Sequence, residues 1–479
     1  MIKKVIDFVS ARDTRIFVVI FSLTFCSRLP FIIDDYGLDG DGWRVINAAR
    51  TIASTHHYIA SRFPGYPFVE LLLAALSAPS AIITNLITAC FSGIAAAFFT
   101  LFIKKYSSEY FWAALAFAGT PIVFLNSIVT MDYVWAIGSI CAVLYFFFSK
   151  RMFLLSGILL GLAIGCRISS LLFILPLILI LIHQKEYRAF FFFVLPAGIV
   201  LLALFLPVIQ TYGFSFLSMP SGTFSITQIA KKLTVDLWGI AGCIFFGIAL
   251  IQSLRRKIFE SLPNHQRFDI MVLIFGGIVL YLTLFFRLPV DAGYLIPIVP
   301  LFITYFAIQL TLRQFRIFSI GVICSSFIFS ISPVDRPWHA QPSKISYSTQ
   351  ISGRIVCIDV LQGPLIKEMM QLKKQEEYLQ HVNQAIDTIP YQAAFFVGDF
   401  IPKLSVKRNL PLREPRAEDI YIFEKYIIAS YGDRNRLKET KRGGYVFFHL
   451  PGVEKINLEM NGVDLTKFGS QELNVHVPD

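Results

Sequence analysis

The sequence predicts an all-α polytopic membrane protein of about eleven transmembrane helices, with juxtamembrane helices in its first outer loop and a small C-terminal α/β domain. Three observations carry that expectation. The composition is 55% hydrophobic and only 16% charged, with 47 phenylalanines, whereas about a quarter of a soluble domain is charged. Apolar windows of about 20 residues, the length that crosses a bilayer, recur up to residue 332. Short basic clusters separate them: Lys104-Lys105, Lys150-Arg151, Lys185 with Arg188, Arg255-Arg256-Lys257, and Arg313 with Arg316. Lys and Arg favour the cytoplasmic side, so these clusters set direction as well as number.

Lys3, Lys4, Arg12 and Arg15 precede an apolar run too long for a signal-peptide core and followed by no cleavage signal, so 14–33 reads as an uncleaved first span running outward. Residues 34–81 form the first outer loop, and 82–103 return to Lys104-Lys105. Residues 110–128 run out and 133–149 run back to Lys150-Arg151. The stretch 152–184 has basic residues at both ends and Arg167 in its middle, which requires two short helices meeting outside at Gly165-Cys-Arg-Ile-Ser169. Then 189–209 runs out, 234–253 in, 269–287 out, 292–312 in and 315–332 out. Residues 64–80 are apolar enough to cross, but a crossing there would invert every later basic loop. They are placed as a helix in the outer interface. Residues 41–55 look similar, with Arg44, Asn47 and Thr51 on one helical face and Val45, Ile46, Ala49 and Ile52 opposite.

The tail from 333 to 479 turns mixed polar. Its candidate strands are 354–360, 393–397 and 444–448, and 364–388 reads as an amphipathic helix. This is the expected extracytoplasmic α/β domain, separate from a transmembrane domain over 1–332. It carries no phosphate loop, catalytic triad or metal cluster, so chemistry is expected in the membrane part. The formal net charge of +11 sits largely in loops that fix topology, which argues against a nucleic-acid partner. The seven cysteines show no metal spacing and read as small core residues, not a disulfide framework.

The topology brings ionisable residues from distant loops to the outer rim: Asp41, Asp132, Arg167, Arg287 and Asp291. Such groups at span ends are functional candidates by default. Transfer from a lipid-phosphate donor needs a carboxylate to take the acceptor proton and fixed cations to meet the departing phosphate. Asp41 suits the first role, Arg167 with its planar fork the second, and Asp132 could orient acceptor or base. Each has a plainer reading. Asp39-Gly40 and Asp41-Gly42 fit turns; Asp132 fits a helix cap; Arg167 fits a snorkelling residue or the ion-pair partner of Asp132. Glu70 is expected to face headgroup water. His56-His57 suggests a polar turn ahead of a metal site, and Lys231-Lys232 either attract phosphate or sit in the interface.

Four motifs in order resemble the GT-C membrane glycosyltransferases, closest to the protein O-mannosyltransferase and aminoarabinose-transferase type. They are Asp41-Gly-Trp-Arg-Val-Ile-Asn-Ala-Ala-Arg50, then Ser61-Arg-Phe-Pro-Gly-Tyr-Pro-Phe68, then Asp132, then Gly161-Leu-Ala-Ile-Gly-Cys-Arg-Ile-Ser-Ser170 joined by Tyr294-Leu-Ile-Pro-Ile-Val-Pro300. The resemblance implies an inverting enzyme using a polyprenyl-phosphate sugar donor and a glycan, lipid or protein acceptor at the outer face. It implies Asp41 as base, with Asp132 the second catalytic candidate. Arg167, Arg62, Tyr66, Arg44, Arg287, Tyr294 and Asp39 are then the donor-phosphate and substrate contacts. The family's acidic pair is Asp41-Gly42 here, so a second acid falls to Asp39 or Asp132 or is absent. No metal ligand is assigned, and a divalent cofactor is left open. The expected location is a bacterial inner or plasma membrane, embedded among its lipids, with the N-terminus cytoplasmic. The rival function is a transporter or flippase of lipid-linked glycans, which would call for mid-membrane polar residues and internal repeats. Clustering at one face and the lack of a repeat favour an enzyme.

Overall fold

The computed structural model describes residues 11–215, 225–256, 262–334, 336, 339–351, 354–389, 392–397, 400–409, 420–422, 426–429, 446–450, 471–473 and 475. Lys3, Lys4, Lys257 and the first two residues of the expected strand 444–448 lie outside them. Within them, seven helices are long and apolar enough to cross a bilayer: Ala11–Phe31, Ala81–Ile103, Asp132–Lys150, Tyr187–Tyr212, Val235–Leu254, Gln266–Arg287 and Ala292–Gln309. Three apolar helices, Tyr110–Gly119, Phe153–Cys166 and Ile168–His183, are shorter. Phe191, Phe192, Leu195, Ile199, Leu202 and Leu206 are all exposed along Tyr187–Tyr212. Such a face suits lipid as its solvent and would be a large apolar patch in water. The chain is an integral membrane protein.

Departures from the expected spans have local causes. The span over 110–128 breaks at Thr120, where Pro121 opens the separate helix Pro121–Asn126; proline has no N–H to continue the preceding ladder. The helix expected over 315–332 ends at Cys324, and Ser325 and Ser326 donate instead to Trp238 O and Gly119 O of neighbouring helices. The ambiguous stretch 64–80 holds only the nine-residue helix Pro67–Ala75. At 1.5 Å per residue it is about 14 Å long, too short to cross.

The hairpin around Arg167 forms as its basic ends require. Phe153–Cys166 packs against Tyr187–Tyr212 in parallel, with Gly157 beside Phe193, Gly161 beside Val200 and Gly165 beside Leu204. A Cβ on Gly157 would lie 2.2 Å from Phe193 O, so this small-residue stripe allows backbone-close packing. Two helices parallel to each other need a return segment between them, and Ile168–His183 supplies it. The Arg151–Glu186 ion pair ties the two basic ends together.

Two ends of the bundle are thereby defined. One collects Asp13 with Lys104 and Lys150, and Glu109 with Arg316. The other collects the loops carrying Asp41, Arg62, Asp132, Arg167 and Asp291.

Beyond the bundle, strands Ser330–Pro333, Arg354–Asp359 and Ser346–Ile351 form an antiparallel sheet with Arg354–Asp359 central. The first of these runs across the expected boundary at 332. A second sheet has the order Ile420–Ile422, Tyr426–Ala429, Ala393–Phe396, Val446–His449, Gln471–Glu472. The helix Pro364–Thr388 joins tail to bundle. Leu365 and Leu372 near its start belong to the helix bundle's hydrophobic core, while Tyr378, Leu379, Val382 and Ile386 pack with Phe395, Phe400 and Leu404. The helix Ile401–Lys407 lies against Gly40–Thr55: Asn47 Nδ2 donates to Ser405 Oγ at 3.3 Å and Arg50 Nη1 to Val406 O at 3.1 Å. Asn47, on the polar face expected to meet the interface, is thus covered by the tail.

Candidate active site

Asp41 is placed by a tightly folded turn. Asp35 Oδ1 accepts from Gly37 N at 2.7 Å, and Trp43 Nε1 donates to Gly37 O at 2.9 Å. Gly37 has a φ of +123°, which glycine adopts without strain. Asp39 then caps the helix Gly40–Thr55, accepting from Asp41 N at 3.0 Å. The turn reading of Asp39 and the presence of Asp41 in a site are thus compatible. Gly42 explains the missing acidic pair. A Cβ there would fall 2.4 Å from Tyr36 O and 2.7 Å from Thr130 O, so no side chain fits.

The second loop is organised by Glu70. The expectation that Glu70 faces headgroup water is corrected, because it is 0% exposed. Its Oε1 accepts from Ser61 N at 2.7 Å and Ser61 Oγ at 2.6 Å; its Oε2 accepts from Tyr58 OH at 2.5 Å and Tyr66 N at 3.2 Å. A buried carboxylate survives by taking this many donors. The result is a fixed loop that aims Arg62. Arg62 Nε meets Asp41 Oδ2 at 2.9 Å, its Nη2 meets Asp132 Oδ1 at 2.8 Å, and its guanidinium lies 4.0 Å from the Tyr66 ring centre. Its Nη1 is buried without a hydrogen-bond partner. The two facing carboxylates hold the Arg62 guanidinium well above its usual pKa, against the pull of its burial.

Asp132 is 1% exposed and sits in the first turn of Asp132–Leu144, whose cap is Met131. Instead of capping, its Oδ2 meets Arg167 Nη1 at 2.5 Å. Arg167 ends Phe153–Cys166 in an extended conformation. Its guanidinium lies 3.5 Å from the Tyr133 ring centre and 4.9 Å from that of Tyr294. Tyr133 OH donates to Asp291 Oδ2 at 2.5 Å. With Arg44 Nη1 3.4 Å from Asp41 Oδ1, the charges alternate: Arg44, Asp41, Arg62, Asp132, Arg167. Alternation keeps each buried charge beside its opposite, the condition for burying any of them.

A cavity of about 630 Å³ opens beside this row. Asp39, Asp41, Arg44, Asp291 and Lys232 line it from the bundle. Asp132, Arg167, Arg62, Tyr66 and Tyr294 stand behind that surface and do not. Arg287 is exposed and also outside the lining. Lys232 Nζ donates to Pro289 O at 2.6 Å, and Lys231 pairs with Asp236 at 3.1 Å. His56 forms the left-handed cap of Gly40–Thr55. Among the described residues no group of three or more His, Cys, Asp or Glu side chains could hold a metal.

The opposite wall comes from the tail: Ser330, Ser332, Lys367, Glu368 and Gln371. Sequence reasoning missed this wall, and no local motif marks it. It missed Tyr133 too, though its place next to Asp132 was a usable signal. Desolvation in the cavity, then the Asp41 and Asp291 charges, push Asp39 up to about 7, even though its side chain is open to cavity water. Desolvation, opposed by Lys403 and reinforced by Asp39 and Asp35, pushes Glu368 up to about 7.

No protein-family model matches the chain, and no curated protein does. Among solved structures, the crystal structure of ArnT from Cupriavidus metallidurans bound to undecaprenyl phosphate is similar, with a TM-score of 0.53 at 10% identity. The match covers 85% of this chain and 86% of that one. At that identity the likeness shows the fold, which is GT-C-like.

Proposed function

We propose that this protein is an inverting GT-C-type glycosyltransferase that moves a sugar from a polyprenyl-phosphate donor to an acceptor at the extracytoplasmic face. One observation supports this most: the row Arg44, Asp41, Arg62, Asp132, Arg167 meets a cavity at Asp41. The fold is shared with a protein crystallised with undecaprenyl phosphate. Sidedness is supported by the Lys104, Lys150, Arg151 and Arg316 pairs gathering at the opposite end, which the positive-inside tendency assigns to the cytoplasm. In this reading the chain crosses eleven times, with broken or short helices making up the crossings beyond seven, and the tail is extracytoplasmic.

The acceptor O–H is deprotonated by Asp41 as its oxygen bonds to the anomeric carbon from the side opposite the phosphate. The C–O bond to phosphate breaks, its electron pair leaves on polyprenyl phosphate, and the anomeric configuration inverts. Arg44, on the cavity wall, supplies the first cation for the leaving phosphate, and Arg62, behind that wall with an unpartnered Nη1, the second. Arg167 reaches it only by leaving Asp132. Asp132 therefore positions both guanidiniums, while Tyr66 and Tyr294 hold them by their ring faces.

The test is turnover by purified protein given a labelled polyprenyl-phosphate sugar and membrane or envelope acceptor fractions, wild type against Asp41→Asn. Loss of a general base removes about 10²–10⁴ in rate. Equal turnover by both proteins excludes Asp41 as base. Passage of labelled lipid across liposomes with no transfer by either would instead favour a flippase.

A further inference from the structure

We propose that Lys367, Ser330 and Ser332 form an oxyanion pocket in the tail's wall of the cavity, which anchors a phosphate or carboxylate group of the acceptor. The word acceptor rests on the transferase reading above; the pocket rests on geometry alone. Lys367 is 4% exposed, yet its Nζ has no hydrogen-bond partner, and the buried Oγ atoms of Ser330 and Ser332 have none either. All three residues line the same cavity. Ser330 and Ser332 are two apart on the strand Ser330–Pro333, so they share one face of it.

The carboxylate whose charge acts on Lys367 is that of Asp359, and it is already engaged. Asp359 opposes Ser330 in the sheet register, but its Oδ1 accepts from Ser343 Oγ, Leu361 N and Gln362 N, and its Oδ2 from Ser343 N. The adjacent Glu368 lines the same cavity, and the charges that act on it are those of Lys403, Asp39 and Asp35. Three residues of the cavity lining thus carry a buried ammonium and two buried hydroxyls with no acceptor assigned. A buried ammonium without a partner is costly, and burial does press its pKa downward. A ligand that only accepts completes this set, and phosphate and carboxylate are such ligands.

The donor does not need this pocket. A polyprenyl-phosphate sugar carries one phosphate, and Arg44 and Arg62 beside Asp41 already serve it. A second cationic point across the cavity instead holds the other substrate, with its nucleophilic hydroxyl turned to Asp41.

The experiment is acetylation of the full-length protein in lipid nanodiscs, read by mass spectrometry at Lys367 and at exposed Lys344. Inorganic phosphate, glucuronate and undecaprenyl phosphate are compared with chloride at matched ionic strength. Phosphate or glucuronate at ten times its Kd is expected to slow Lys367 acetylation about tenfold, leaving Lys344 unchanged; the anion with the lower Kd identifies the group. Ser332→Ala is expected to raise that Kd about tenfold, the value of one hydrogen bond to a charged ligand, so that the same anion concentration slows acetylation only about twofold. Asp41→Asn keeps full protection, so failure of the transferase reading is scored separately. The proposal is overturned if neither soluble anion protects, if Ser332→Ala protects as well as wild type, or if undecaprenyl phosphate protects where the soluble anions do not.

Discussion

The two ends of the helix bundle use the same residue types in opposite ways. At the basic end, Asp13 pairs with Lys104 and Lys150, Glu109 with Arg316, and Glu186 with Arg151. Each is a small local group reaching water; the Arg316 and Arg151 side chains are about half exposed. At the other end, charges from the loops at 41–44, 62, 132 and 167 join one row, with Asp132 at 1% and Arg167 at 6% side-chain exposure. The first arrangement closes upon itself. The second leaves an unpartnered Arg62 Nη1 and a carboxylate on a cavity. Ion pairs that reach water mark where a chain folds back; buried ones that remain incomplete mark where a substrate supplies what is missing.

Removing Asp132 should separate the two ends most. Asp132→Ala leaves the Arg62 and Arg167 guanidiniums buried against each other, a loss of about 3–5 kcal/mol for breaking a buried pair. A thermal melt of the detergent-solubilised protein measures it, and turnover should vanish with it. A melt within a degree of wild type would mean the row does not hold that end together. Asp41→Asn comes next. Its about 10²–10⁴-fold loss of rate should come with almost no change in melting temperature, because Asp41 lies nearer the surface and Arg62 keeps Asp132.

How much of this contrast is legible in the sequence depends on distance along the chain. Charge placement alone brings Asp41, Asp132, Arg167 and Asp291 to one end, because parity needs only the basic clusters and the span lengths. The hairpin at Arg167 follows from the same logic. Burial is harder to read. Glu70 looks like a surface acid in an apolar helix, and only the fold of 58–66 around it reveals four donors. Gly42 reads as a turn residue, and its true constraint is two carbonyls from other segments. The tail's wall is the least legible. Helix 364–388 is evident from its periodicity, but that its first turns pack on the helix bundle while Lys367 lines the cavity depends on contacts with segments far away in the chain.

Asp39 offers a finer test, because its pKa near 7 puts its titration within the working range. Below that pH it is neutral; above it, a second negative charge faces the cavity beside Asp41 and favours the positive charge that develops on the sugar ring during transfer. The value of kcat/KM should therefore rise with pH through about 7, and Asp39→Asn should flatten that rise while leaving activity at the acid limb. The stability sign is opposite. Asp39 holds its proton more tightly folded than unfolded, so it costs the fold stability as pH climbs from 3.8 towards 7. A rise in kcat/KM that Asp39→Asn leaves intact would assign the titration elsewhere, with Glu368 the next group to replace.

The smallest effect belongs at the basic end, and its smallness is the point. Asp13 contacts two lysines, at 2.8 and 3.3 Å, one more cation than Glu109 or Glu186 meets in its pair. If contacts alone set energy, Asp13→Asn would rival the changes around Asp132. Its side chain and both lysines keep 14–26% of their surface, so water screens the pairs and refills the site. The expected loss is about 0–1 kcal/mol, with turnover unchanged. Measured in the same melts as Asp132→Ala, a loss of several kcal/mol would show that the two ends are energetically alike, and that incompleteness in place of burial distinguishes the end that binds substrate.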